Sequence, residues 1–134
     1  MKNASTEHFD ILIVGAGISG IGGAYHLLQE CPDKSFVILE TMDSFGGTWK
    51  THTYPGIRSD SDLYTFGYGF KPWTGPPIAT AEEILDYMGE VIEENDISSH
   101  IRYEHTIETA EWSSDEKCWT LKVRQPGAKE QLTF

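Results

Sequence analysis

Apolar positions along this chain follow two spacings, and each predicts a different kind of element. Near-continuous apolar runs at Phe9–Val14 and Ser35–Glu40 predict strands buried on both faces, as in a parallel sheet. Between them, apolar positions at helical spacing predict a helix from about Ile18 to Glu30, which Pro32 ends. The first forty residues therefore predict a strand–helix–strand unit.

The second half of the chain contains one further helix and a run of strands. Thr80-Ala81-Glu82-Glu83 is a capping box, and the apolar stripe after it predicts an amphipathic helix that reaches about Asn95. Strict alternation then predicts a strand from Ile101 through about Trp112, another around Trp119–Val123, and a third that begins near Leu132. Turn residues separate these runs, so they predict a β-meander.

The remaining segments show no sustained period. Residues 1–8 are polar and are predicted to be disordered. Residues 41–80 are irregular but rich in Tyr, Phe and Trp, so we expect an ordered loop region that covers something large and flat, with a short strand possible over Tyr64–Phe70. Because the chain ends on the apolar Phe134, in what looks like an edge strand of the meander, we predict that residues 9–134 are a fragment of a longer protein.

Glycines after the first apolar run carry the clearest chemical signal. Residues 15–20 match G-x-G-x-x-G: Gly15 permits a tight turn, Gly17 allows close approach of a pyrophosphate, and Gly20 allows close helix packing. Glu40 lies twenty residues further on, where a second strand presents a carboxylate to a ribose hydroxyl. A carboxylate there suits FAD or NAD and disfavours NADP, so the pattern predicts an α/β, Rossmann-like dinucleotide-binding domain.

Composition narrows the possible partners. The formal net charge of −11 argues against a nucleic-acid partner, which calls for a basic surface. The two cysteines lack metal or redox spacing, and no Ser-His-Asp, Cys-His or zinc pattern occurs. Neither a signal-peptide pattern nor a membrane-spanning apolar run is present, which favours a cytoplasmic location.

Three further stretches resemble one enzyme family. They are Phe45–Trp49 (FGGTW), Tyr54–Asp62 (YPGIRSDSD) and Phe70–Gly75 (FKPWTG). All three resemble the class B flavoprotein monooxygenases, which comprise the flavin-containing and Baeyer–Villiger monooxygenases. The last two are most similar to the Baeyer–Villiger subgroup that includes the ethionamide-activating type. The resemblance runs from Phe9 to about Val123.

That resemblance implies FAD in the first site and NADPH as the electron donor. It implies insertion of one oxygen atom from molecular oxygen into a small ketone, or oxygenation of a soft sulfur or nitrogen, through a C4a-peroxyflavin. A second glycine motif for NADPH, the fingerprint between the two motifs and a distal catalytic arginine are absent from these residues. We therefore expect this chain to be the FAD-binding portion of such an enzyme and to be inactive alone.

The same resemblance implies a role for each candidate site residue. The FAD pyrophosphate would be bound by Gly15, Gly17, Ser19 and Gly20, and the adenosine ribose by Glu40. The flavin side of the cofactor would lie along Gly47, Thr48 and Trp49, and the adenine end would contact Ile107. The region where the nicotinamide meets the flavin would be formed by Arg58, Ser59 and Asp60. Asp60 would also orient the distal arginine. Phe66 stands where better-known members have a tyrosine near the flavin.

Several alternatives stay open at this point. The chain is also compatible with a flavoprotein oxidase, with an NAD-linked dehydrogenase that shares the first motif, or with a non-catalytic binding remnant. Trp49 is compatible with an ordinary core aromatic, and Arg58 and Asp60 with a surface salt bridge.

Overall fold

The computed structural model describes residues 6–134, apart from the side chains of residues 129–133. In this range seven strands form two sheets, and four helices accompany them. The strands are β1 (Thr6–His8), β2 (Ile11–Val14), β3 (Phe36–Leu39), β4 (Ile101–Arg102), β5 (Thr106–Ser113), β6 (Cys118–Gln125) and β7 (Ala128–Thr133). The helices are α1 (Ile18–Glu30), α2 (Thr48–Thr51), α3 (Leu63–Phe66) and α4 (Ala81–Glu94), with a 3-10 turn at Ser98–His100. None of these helices is long and apolar enough to cross a bilayer.

Strands β2, β3 and β4 form a parallel sheet in the order β2-β3-β4. Every residue of β3 is buried, as its apolar run predicted, because both faces of the strand are covered. Phe36 and Ile38 pack into one apolar cluster, and Val37 and Leu39 pack into another. The same prediction is wrong for β2, which is only half-buried, and Val14 is 72% exposed. Within the described residues β2 pairs with β3 alone, so it is an edge strand.

Helix α1 connects β2 to β3 and has the predicted bounds. Ile21 and Ala24 are fully buried in the main core, which lies between the parallel sheet and α4. Gly22 leaves space for the Tyr68 ring of the loop region, since a Cβ at position 22 would lie 2.8 Å from that ring. Together β2, α1 and β3 confirm the predicted strand–helix–strand unit, since the helix joins two parallel strands.

Helix α4 is also confirmed. Its N-cap Thr80 accepts a hydrogen bond from the Glu83 amide at 3.2 Å, and Ile84, Met88 and Val91 on its apolar face are fully buried. The Glu83 carboxylate accepts from the Thr80 hydroxyl at 3.2 Å, in place of the reciprocal backbone bond of a full capping box.

The meander of β5, β6 and β7 is antiparallel, as predicted. It is joined by β1, which pairs in parallel with β7. Thr6–His8 are thus a strand, whereas disorder was predicted through residue 8; residues 1–5 lie outside the described range. Strand β7 lies between β1 and β6 and is not the edge strand expected from its apolar end, because a distant segment of chain covers it.

The single strand predicted from Ile101 to Trp112 is two strands in different sheets. Glu104 lies between them with φ of 56°, a left-handed turn that redirects the chain from β4 into β5. Alternation of apolar residues continues through this turn, so periodicity alone does not reveal it.

The aromatic segment is an ordered loop region that contains the short helix α3 where alternation alone would have allowed a short strand. The Asp62 side chain accepts from the Thr65 amide at 2.9 Å and caps α3. Beyond it, Phe70 stacks on Tyr25 of α1 at a ring-centroid distance of 3.6 Å and on Tyr68 at 4.7 Å. These rings therefore cover the protein's own helices α1 and α4.

Candidate functional site

The first glycine loop leaves β2 and enters α1. Gly15 has φ of 92°, and its amide donates to the Leu39 carbonyl at 2.8 Å, which fixes the loop at the end of β3. A Cβ on Gly20 would lie 2.0 Å from the Gly15 carbonyl oxygen. The third glycine of the motif is therefore required by contact with the first, independently of any ligand.

A second glycine loop packs directly against the first. The Gly46 amide donates to the Ala16 carbonyl at 2.9 Å. Gly47 has φ of 54°, and a Cβ there would lie 3.2 Å from the Gly17 Cα. Main chain thus meets main chain with no side chain between, which explains why glycine stands on both sides of the contact.

A groove of about 270 Å³ runs along the junction of the two loops. Its lining contains seven of the predicted site residues: Gly15, Gly17, Ser19, Gly20, Gly47, Thr48 and Trp49. Val14, Ile18 and Gly46 also line it and were not predicted as site residues. The Gly46-Gly47 pair was a usable signal for Gly46, since a glycine pair marks a close approach of backbone.

The start of α1 gives this groove a positive potential. Its N-cap is Gly17, which has no side chain to accept from the first amides of the helix, and its first turn contains no acidic residue. The first amides of a helix have no intrahelical acceptor and carry the positive end of the helix dipole. Because Ile18, Ser19 and Gly20 line the groove, the site suits an anion such as a pyrophosphate.

Glu40 lies at the end of β3 and is only 8% exposed. One carboxylate oxygen accepts from the Ala16 amide at 3.0 Å and the other from the Met42 amide at 2.8 Å. Tyr103 lies close by: burial raises the pKa of its hydroxyl, and the negative charge of Glu40 raises it further. Glu40 therefore fixes the first glycine loop through the Ala16 amide, a structural role that its spacing from the glycines did not predict.

A second groove of about 450 Å³ adjoins the first, and Thr48 and Trp49 line both. The exposed Arg58 and Asp60 line it as well, together with His52, which was not predicted as a site residue. Among the side chains that the structure describes, no ion pair joins Arg58 to Asp60, so the salt-bridge alternative is wrong. Both charges face the groove.

Trp49 is half-buried: it packs against the edge of the main core and also lines both grooves. Its indole packs edge-to-face with Phe66 at a centroid distance of 6.4 Å. Phe66 itself is 39% exposed. A flat, partly open aromatic surface therefore stands where the two grooves meet.

Comparison with known proteins agrees with this geometry. A family described as the NAD(P)-binding Rossmann-like domain matches residues 13–90, more than half of the chain. The chain belongs to this family. The matched range contains both glycine loops, Glu40 and the Arg58–Asp60 segment.

Relatives of this Rossmann-like domain include FAD-containing monooxygenase EthA of Mycolicibacterium smegmatis, which is 52% identical over 96% of the chain. Cyclohexanone monooxygenase from Rhodococcus sp. Phi1 bound to NADP⁺ superposes with a TM-score of 0.82 at 27% identity over 96% of the chain. OTEMO in complex with FAD and NADP gives 0.80 at 25% identity over 98%. The chain spans 26%, 26% and 25% of their respective lengths. The resemblance to flavoprotein monooxygenases is confirmed.

Three predicted residues of this Rossmann-like domain do not line the grooves: Glu40, Ser59 and Ile107. Glu40 is buried behind the first glycine loop, and its contact with a ribose remains a prediction. Ile107 is half-buried in a second apolar cluster with Val37 and Leu39, beside a register shift in β5. Ser59 is 5% exposed and faces away from the groove that its two neighbours line. Adenine contact by Ile107 and cofactor contact by Ser59 remain predictions.

Proposed function

We propose that this chain is the FAD-binding part of an NADPH-dependent flavoprotein monooxygenase. The observation that carries the proposal is the junction of two glycine loops in front of the uncapped start of α1, which builds a groove from backbone amides. Its similarity to FAD-containing monooxygenases selects FAD among the dinucleotides. Because the chain spans only 26% of that relative, the activity of the whole protein belongs to the proposal.

The residues present fit the pyrophosphate and ribose of FAD. Gly15, Gly17, Ser19 and Gly20 would surround the pyrophosphate, and the free main-chain amides at the start of α1 would be the donors. The Gly15 amide already donates to Leu39, so Gly15 would contribute the turn and its lack of a side chain. Glu40 would bind the adenosine ribose. An ionised carboxylate has about four acceptor positions, and the two amide bonds to Glu40 leave room for hydroxyl donors.

The second groove fits the reactive side of the cofactor. Gly47, Thr48 and Trp49 would lie along the flavin, where a flat indole supplies apolar contact. Arg58 and Asp60 would meet the nicotinamide nucleotide, with the guanidinium available to a phosphate group. By the family resemblance, Asp60 would also orient an arginine that is not among these residues.

When bound, FAD would supply the activation of molecular oxygen with two electrons from NADPH, so that one oxygen atom passes to a small organic substrate and the other leaves as water. This chain's residues would bind and orient the dinucleotide and place charge beside its reactive end. Oxygenation of a ketone or of a soft sulfur or nitrogen, and a cytoplasmic location, are part of the same proposal.

Titration of the purified chain with FAD tests the proposal, with flavin fluorescence and the visible absorption spectrum recorded together. We expect saturable quenching with a structured visible band, and weak competition by NAD. Far-UV circular dichroism on the same sample establishes that the chain is folded. A folded chain that does not bind FAD, or that binds NAD more tightly, would overturn the assignment of this chain as an FAD-binding part.

A further inference from the structure

Arg58, Ser59 and Asp60 form an alternating segment beside the second groove. The outer two side chains are exposed and line the groove, whereas Ser59 is 5% exposed and points into the protein. Successive side chains on extended chain point to opposite sides. Hydrogen bonds that fix Ser59 therefore also fix the directions of the Arg58 and Asp60 side chains.

Ser59 is bonded twice to one buried residue. Its amide donates to the Ala79 carbonyl at 2.8 Å, and its hydroxyl oxygen accepts from the Ala79 amide at 3.1 Å. Ala79 is fully buried, so its polar groups need partners inside the protein. Both of them find their partner in Ser59.

Further backbone bonds attach the same segment to the chain that leads into α4. The Ala81 amide donates to the Ile57 carbonyl at 3.1 Å, and the Leu63 amide to the Pro77 carbonyl at 2.8 Å. Arg58 pairs with Thr80, the N-cap of α4, in an isolated antiparallel bridge. A change of the Ser59 side chain removes none of these main-chain donors and acceptors, whereas the Ala79 amide depends on the Ser59 hydroxyl oxygen.

We propose that Ser59 is a positioning residue, in place of the cofactor contact that the family resemblance implied: by accepting the buried Ala79 amide, it holds Arg58 and Asp60 at the groove. The inference rests on the proposed function, which gives the two charged groups their role beside the flavin. Removal of the hydroxyl would leave the Ala79 amide without a partner, and the segment would relax to find one. The charges would then shift although neither charged residue had changed.

The test compares Ser59→Ala with the unaltered chain by ¹⁵N nuclear magnetic resonance in the absence of FAD. We expect hydrogen exchange at the Ala79 amide to accelerate about tenfold, as for the loss of one hydrogen bond. We also expect the side-chain Nε–Hε resonance of Arg58 to move, because this group lies at the groove and is not adjacent to the substituted side chain along the backbone. Ile97→Val, which removes a methyl group from a fully buried side chain elsewhere, is the control for a general loss of stability.

With saturating FAD, the visible circular dichroism of the bound flavin gives a second readout. Ser59→Ala should change this band, and Ile97→Val should not. If Ser59→Ala does not fold, Ser59→Cys, whose sulfur is a weaker acceptor of similar size, replaces it in the same comparison.

Three results would overturn the positioning role. They are unchanged exchange at Ala79, faster exchange with the Arg58 Nε–Hε resonance unmoved, and equal changes in Ile97→Val. A folded chain that does not bind FAD would overturn the proposed function instead. The exchange experiment without FAD would still decide the role of Ser59.

Discussion

The Glu40 carboxylate accepts a hydrogen bond from the Ala16 amide at 3.0 Å, so the acid at the end of β3 holds the loop at the end of β2. Ala16 in turn accepts from the Gly46 amide at 2.9 Å. The acid, the first glycine loop and the second glycine loop are thus connected through one residue. A change at any of the three should disturb the others.

Glu40→Gln should therefore destabilise the chain even without a ligand. One amide of Ala16 or Met42 would face the NH₂ group in place of an acceptor, which costs about 1–3 kcal/mol for a buried donor. Urea unfolding measures the effect. Glu93→Gln, on an exposed position of α4, removes the same charge and should change little. Equal stability of Glu40→Gln and the unaltered chain would contradict the structural role of Glu40.

Gly20→Ala and Gly23→Ala should act in opposite directions on α1. At Gly20 the new methyl would lie 2.0 Å from the Gly15 carbonyl oxygen, whereas at Gly23 the nearest atom is 3.8 Å away. We expect Gly20→Ala to destabilise the fold severely and Gly23→Ala to stabilise it by roughly 0.5–1 kcal/mol through helix propensity. Thermal unfolding of both variants checks the pair, and a tolerated Gly20→Ala would refute the contact.

Gly47→Ala should weaken FAD binding by about tenfold or more. A residue with a Cβ is strained at φ of 54° with ψ of −123°, and the methyl would press on the Gly17 Cα at 3.2 Å, which separates the two loops. Gly69→Ala, with open space around its Cα, is the matched control. Fluorescence titration with FAD distinguishes them. Identical affinities would exclude the loop junction as the binding determinant.

A pH-dependent contribution should come from Asp10 and Ser35, which join the starts of β2 and β3. The Ser35 amide, and then its hydroxyl, hold the pKa of the Asp10 carboxyl below its ordinary value of 3.8. The folded state thus favours the ionised form, so this stabilisation is present above pH 3.8 and is lost as the pH falls through the lowered pKa.

Asp10→Asn should consequently lower the unfolding free energy at neutral pH, with a smaller difference from the unaltered chain below the ordinary pKa. Urea titrations at neutral and acidic pH measure the two differences. A difference that stays constant between them would show that the carboxylate charge does not contribute.

The sequence predicted those elements whose signals are local. Apolar runs and helical spacing identified β3, α1 and α4, and the motif at Gly15 to Gly20 identified the first loop, because each pattern is complete within a short window. The pairing of β1 with β7 joins opposite ends of the chain, and no short window contains it.

Other features depend on single residues or on tertiary contact. A left-handed turn at Glu104 splits one alternating run into two strands, and the Asp62 cap converts an aromatic alternation into α3. Likewise, the spacing of Glu40 predicted a ribose ligand, but the amides that it accepts became visible only when β3 and the glycine loops were placed together.

The most direct measurement is a ¹⁵N–¹H spectrum of the labelled chain during titration with FAD. The account predicts that amide resonances of Gly15, Gly17, Ser19, Gly20 and Gly47 shift together and saturate at one affinity, while those of β6 stay in place. Shifts that fall elsewhere in a folded chain, or none at all, would contradict the junction of the two glycine loops as a dinucleotide site.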